Sequence, residues 1–127
     1  MRLRWMAILL LAAVTGCSWF SDTRKYSVYF EPYSANLNQQ AHETITAAAV
    51  YAQSHRVLPI TIAGFSAPAD PGRDIDGLSV QRADAVKQAL VGGGIDANRI
   101  AATANGTIAP GTLPSLAVRR VDIAVGP

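Results

Sequence analysis

The sequence predicts an α/β protein, an α+β sandwich in which one mixed four-stranded sheet is covered by two helices in the order β-α-β-α-β-β. Three observations predict it. Short runs with period-two alternation, such as Val57 to Gly64 and Arg119 to Val125, read as strands. Two segments with apolar residues at helical spacing separate the first three strands. The strand-helix-strand alternation implies crossovers that make parallel pairs, with the last strand returning antiparallel.

Ahead of the domain, Arg2 and Arg4 precede an apolar run from Trp5 to Val14, and small residues follow up to Cys17, the only cysteine. A run of about ten residues is too short to span a bilayer and has the length of a signal-peptide core. The tetrapeptide Val14-Thr15-Gly16-Cys17 resembles the lipobox of bacterial lipoproteins, in which cleavage just before the cysteine is followed by its acylation. The expected division is a signal peptide over 1–16, a lipidated tether over 17–25 and one domain over 26–127. An ordinary signal peptide with an incidental thiol is the competing reading, and a lone cysteine excludes an intrachain disulfide either way. Cleavage removes Arg2 and Arg4 from eleven basic residues and none of the nine acidic ones, so the mature chain is neutral. No excess of Lys and Arg remains to bind nucleic acid.

Ser18 to Lys25 is polar and without period, a tether reaching roughly 30 Å when extended. Tyr26 to Phe30 is aromatic and β-branched and stops at Glu31-Pro32; its near-continuous apolarity suggests a central strand. Leu37, Ala41, Ile45, Ala48 and Ala52 then mark a helix, with Asn36 or Asn38 as its N-cap. In the second strand Pro59 removes a donor, which implies an edge position or a strand that joins the ladder late.

Phe65 to Gly77 forms a connection of thirteen residues, against the usual two to six, so function is sought there. Ser79 reads as the N-cap of the second helix, whose buried face is set by Ala83, Val86, Ala89 and Leu90. That reading puts Arg82 in the first turn, where a cation opposes the helix dipole unless something negative docks on it. Gly92-Gly93-Gly94 ends the helix by supplying a left-handed residue. Arg99 to Ala104 is a weak third strand of small residues, and a loop containing Asn105-Gly106 leads to the last strand. Val121, Ile123 and Val125 face one way there, with Arg120, Asp122 and Ala124 opposite.

From about Tyr26 to Val125 the chain resembles the OmpA-like, peptidoglycan-associated domains of bacterial envelope proteins. The residues that carry the resemblance are Phe30 before Ser34-Ala35-x-Leu37, then Ile62-Ala63-Gly64, and Leu78-Ser79-x-x-Arg82-Ala83-x-x-Val86-x-x-x-Leu90. Gly94-Ile95-Asp96-x-x-Arg99-Ile100 and Arg119-Arg120-Val121-Asp122-Ile123 complete it. With the lipobox, the architecture looks like that of the peptidoglycan-associated lipoproteins, anchored in the outer membrane through acylated Cys17 with the domain in the periplasm. Ser18 after the cysteine agrees with outer-membrane sorting.

The resemblance implies non-covalent binding of the diaminopimelate side chain of the peptidoglycan stem peptide. A loop aspartate would answer its ammonium and Arg82 its carboxylate. The chain departs from the family at three polar positions: Ala67 stands where the family has that aspartate, and Ile75 and Val118 stand where it has asparagines. A charge-assisted contact of this kind is worth roughly 1.5–3 kcal/mol. Two arrangements follow. In one, Asp70, Asp74 or Asp76 folds back to the vacated place, and these form the candidate binding set with Arg82 and Ser79. In the other, one of them pairs with Arg82 or Arg73 and closes the site. The first describes a wall-binding lipoprotein with a weakened or atypical grip, the second an envelope assembly lipoprotein that keeps the fold and binds a protein partner.

Other chemistry finds little support. Asp74-x-Asp76-Gly77 aligned as a calcium loop puts Gly72 and Ala83 at the two essential ligand positions, so no metal site is expected. His42 and His55 have no ligands at metal spacing and read as surface residues. No cofactor is expected. No catalytic nucleophile is evident either, since there is no Gly-x-Ser-x-Gly and the cysteine is needed for the anchor.

Overall fold

Alternation along the last strand decides how the sheet is assembled. In the computed structural model, which describes residues 22–66, 75–107 and 119–127, β4 (Arg120–Val125) lies between β1 (Arg24–Tyr29) and β2 (Ile60–Ser66). It pairs antiparallel with both. β3 (Ile100–Thr107) pairs parallel with the outer side of β2, giving the order β1-β4-β2-β3. Val121, Ile123 and Val125 are fully buried and face the helices. Each contributes about 1.5–3 kcal/mol by leaving water.

α1 (Gln39–Ser54) lies over β1 and β4, and α2 (Ile75–Gly92) over β2 and β3. Of the two candidate caps for α1, Asn38 is the one used: its Oδ1 accepts from the Ala41 N–H at 2.8 Å. Ala41, Ile45, Ala48, Ala49 and Ala52 form the buried stripe, and their small side chains let the helix lie close to the sheet. α2 ends as the glycines require. Gly94 takes φ +97°, the Ile95 N–H reaches the Leu90 carbonyl, and the Gly94 N–H reaches that of Val91. This is the Schellman arrangement, closed by the buried pair Leu90 and Ile95.

Several expectations are corrected here. β1 is an edge strand, not a central one: only Val28 and Phe30 of its neighbourhood are deeply buried, while Tyr29 on the opposite face is 46% exposed. Both crossovers run in the expected sense, but β4 is inserted between β1 and β2, so only β2 and β3 are a neighbouring parallel pair. Pro59 does not mark an edge. β2 is internal and joins the ladder one residue later, while the Pro59 carbonyl accepts from the Gly126 N–H at 2.9 Å. β3 runs on to Thr107, so Asn105-Gly106 belongs to a strand and not to a loop. β1 begins at Arg24, two residues inside the expected tether. α2 begins at Ile75, not at Ser79, which leaves only 67–74 between strand and helix outside the described residues.

Candidate functional site

Gly64 places the site. A Cβ on it would lie 2.5 Å from the Ser79 carbonyl oxygen and 3.1 Å from the Ala83 Cβ, so only glycine lets α2 close on β2 there. Ser79 and Ala83 are four apart on one helix face, and both are buried against that strand. Ser79 is therefore a packing residue within the helix, not its cap. Arg82, one position before Ala83, is carried by the same contact toward the end of β2.

Arg82 lies well inside α2 and not in its first turn, so the helix dipole does not explain it. Its side chain is fully buried and is among the largest so buried in the protein. Nε donates to the Ser34 carbonyl at 2.8 Å, Nη1 to that of Phe65 at 3.2 Å, and Nη2 to that of Glu31 at 3.1 Å. The guanidinium carbon stands 5.2 Å from the centre of the Phe30 ring. One side chain thus joins the end of β1, the turn after it and the end of β2 to α2. The turn needs that support: Tyr33 adopts φ +56°, a left-handed conformation unfavourable for a residue with a Cβ.

Among the described residues the ion pair is Arg120 with Asp122, and no carboxylate pairs with Arg82. Burial first, and the positive charge of Arg119 second, together push the Arg82 pKa down from the ordinary guanidinium range to about 10. Arg119 is held in place across the ladder, its Nε donating to the Phe30 carbonyl at 3.2 Å while its own carbonyl accepts from the Phe30 N–H at 2.9 Å. A buried cation next to a second cation is costly unless an anion compensates. Of the five guanidinium N–H groups three are committed to carbonyls, and each terminal nitrogen carries one more.

On the sheet face away from the helices, Arg120 lies over Phe65 at 4.7 Å and its Nε reaches both oxygens of Asp122, at 3.0 and 3.1 Å. Ser27 donates to the same carboxylate at 2.9 Å. This partly exposed pair is worth no more than about 1 kcal/mol, but it keeps the Asp122 charge occupied on its own face.

The predicted site residues come out unevenly. Arg82 and Ser79 stand three residues apart on α2, where the Ser79 backbone meets Gly64. Asp76 is the second residue of α2, and Ile75 the first. Cys17, Ala67, Asp70, Asp74 and Val118 lie outside the described residues. Sequence reasoning missed the partners that matter most to Arg82, because backbone carbonyls of Glu31, Ser34 and Phe65 leave no trace in residue type. Arg119 was legible only as half of a terminal Arg pair.

A profile of the OmpA family matches residues 29–123, a span that includes Gly64, the whole of α2 and the terminal arginine pair. The chain belongs to the OmpA family. Solved structures agree with the OmpA assignment. The peptidoglycan-associated lipoprotein from Burkholderia pseudomallei is similar with TM-score 0.69 and 27% identity, over 79% of this chain and 89% of that one. The OmpA-like domain of FopA1 from Francisella tularensis subsp. tularensis SCHU S4 matches with TM-score 0.69 and 22% identity, over 83% and 73%. The periplasmic domain of MotB from Helicobacter pylori matches with TM-score 0.68 and 20% identity, over 82% and 74%. At these last two identities the likeness speaks for the fold alone. No curated protein matches the sequence.

Proposed function

We propose that this protein is an outer-membrane lipoprotein, anchored through acylated Cys17 after removal of residues 1–16, whose periplasmic OmpA-like domain holds peptidoglycan non-covalently. The observation that carries this reading is the uncompensated positive charge at the Arg82 corner: a buried guanidinium beside Arg119, with no described carboxylate to neutralise it. Such a corner favours an incoming carboxylate, which one N–H from each terminal nitrogen is able to meet as a fork. Family membership and the likeness to a peptidoglycan-associated lipoprotein supply the class of ligand, the carboxylate end of a stem-peptide diaminopimelate. The domain binds and positions; it is not an enzyme.

The grip is weaker than that of a chain with the family aspartate, because Ala67 offers nothing to the ligand's ammonium. Co-sedimentation of the purified domain with peptidoglycan tests this. Wild type is expected to sediment, Arg82→Met to remain in the supernatant, and Ala67→Asp to bind about tenfold or more tightly, in line with a restored charge-assisted contact. Sedimentation unchanged by Arg82→Met sinks the reading.

One observation favours a second reading. Arg82 is fully buried, with three donors already committed, as befits a structural clasp in a domain that has turned to a protein partner in the envelope. In that case neither wild type nor Ala67→Asp sediments with the wall.

A further inference from the structure

The two edges of the sheet are protected differently. β1 opens with Arg24 and Lys25, both exposed, and charge on an edge strand discourages another chain from pairing with it. β3, the edge on the far side of β2, carries neither a charged residue nor a proline from Ile100 to Thr107. Ala101, Ala102, Thr103 and Ala104 are all exposed, and no strand among the described residues lies beyond them. The outward backbone N–H and C=O groups of such a strand form a template for a further strand.

The helix above this edge presents a stripe of its own. Val80, Asp84, Lys87 and Val91 follow one another at spacings of four, three and four, which keeps them on one side of α2. That side is turned away from α1, because Ala89 and Gly93, which line the groove against α1, fall on the other flank of the buried stripe of Ala83, Val86 and Leu90. Val80 and Val91 are 47% and 41% exposed. Asp84 and Lys87 take no part in an ion pair among the described residues.

We infer that this side of the molecule binds a second copy of the chain about a two-fold axis, with β3 pairing antiparallel to β3 and α2 packing antiparallel to α2. The stripe is its own complement. An axis midway between Ala85 and Val86 sets Val80 opposite Val91 of the second copy and Asp84 opposite its Lys87, and the symmetry repeats both pairs with the copies exchanged. The strand agrees with that axis. Gly64 pairs with Ala104 and meets α2 at Ser79 and Ala83. The axis, about 5 Å further along the helix, therefore falls on β3 near Ala102 and Thr103, the middle of the exposed stretch. Lateral spacing agrees as well: α2 covers β2 and β3, so two copies joined at β3 hold their α2 helices two strand spacings apart, about 10 Å, the distance at which helices pack. The association needs neither acylation nor wall binding, and Arg82 lies on the opposite side of α2 from the stripe.

Sedimentation equilibrium of the full chain in density-matched detergent tests this, with amide hydrogen exchange as a second readout. The wild-type chain is expected to dimerise at tens of micromolar and to show slowed exchange at those amides of Ala101 to Ala104 that point away from β2. Asp84→Lys and Lys87→Asp each set like charges against each other twice across the axis, and each should weaken the dimer about tenfold or more. Their far-ultraviolet spectra should stay as in wild type, since neither side chain belongs to the core. Combined in one chain, the two substitutions rebuild both pairs in reverse and should restore association, which a merely destabilised helix would not do. The inference is overturned by a chain that stays monomeric, by association equal in the single and double charge reversals, or by a dimer whose β3 amides exchange as fast as those of the monomer.

Discussion

Arg82 and Arg99 hold the two ends of β2 in the same manner and to different ends. Each spends its side chain on three backbone carbonyls from segments distant in sequence. At Arg99 two of those carbonyls close a helix, whose C-terminus carries partial negative charge, so the cation is matched by what it binds. At Arg82 the carbonyls belong to a turn and two strand ends, and the charge that bears on it among the described residues is another cation, Arg119. Donor count alone therefore does not separate a clasp from a binding site. The charge left over differs, and among the described residues no carboxylate pairs with Arg82.

Substitution at Arg82 should break the comparison most severely. Arg82→Met keeps the buried stem but leaves three carbonyls without donors, and is expected to cost about 3–5 kcal/mol in denaturant unfolding. A loss below about 1 kcal/mol would mean that the turn at Tyr33 holds itself. Arg99→Met should cost less, about 2–3 kcal/mol, because the carbonyls at the end of α1 lie nearer to water. Its signature is faster amide exchange confined to the last turn of α1. Gly64→Ala tests whether the Arg82 end depends on close approach of α2: overpacking against the Ser79 carbonyl should cost about 1–3 kcal/mol and loosen Arg82 without touching Arg99. The smallest effect belongs to Asn38→Ala. It removes the cap at the opposite end of α1 from Arg99 and should cost about 1 kcal/mol, giving a measure of what an ordinary helix terminus is worth here.

Much of the fold was legible because local signals agreed with it. Val121, Ile123 and Val125 alternate as a half-buried strand must, Asn38 stands where a cap is needed, and Gly94 supplies the left-handed residue that ends α2. Strand order was not legible. The apolar run at Tyr26 to Phe30 looks central, and nothing within it announces that β4 will take the inner place. Ser79 misled for a physical reason. A serine ahead of an apolar periodic run has the form of a cap, but its small size serves the approach to Gly64, and the helix starts a turn earlier despite Gly77. At the candidate site the sequence singled out Arg82 but misread its setting, since the cation lies inside α2 and is placed by packing and not by a helix terminus. Of the aspartates that would complete a grip, Asp70 and Asp74 fall outside the described residues, and Asp76 stands in the first turn of α2.

The contact between Gly64 and the Ser79-Ala83 face bears on how members of this family are recognised at all. Within the Leu-Ser-x-x-Arg-Ala segment, the Ser79 backbone and the small Ala83 side chain are what meet Gly64, so helix-to-strand distance constrains this stretch. Drift away from the wall would leave that distance under the same constraint. The segment is then a reliable badge of architecture and a poor witness to ligand, and chains that carry it should be sorted by the position held here by Ala67.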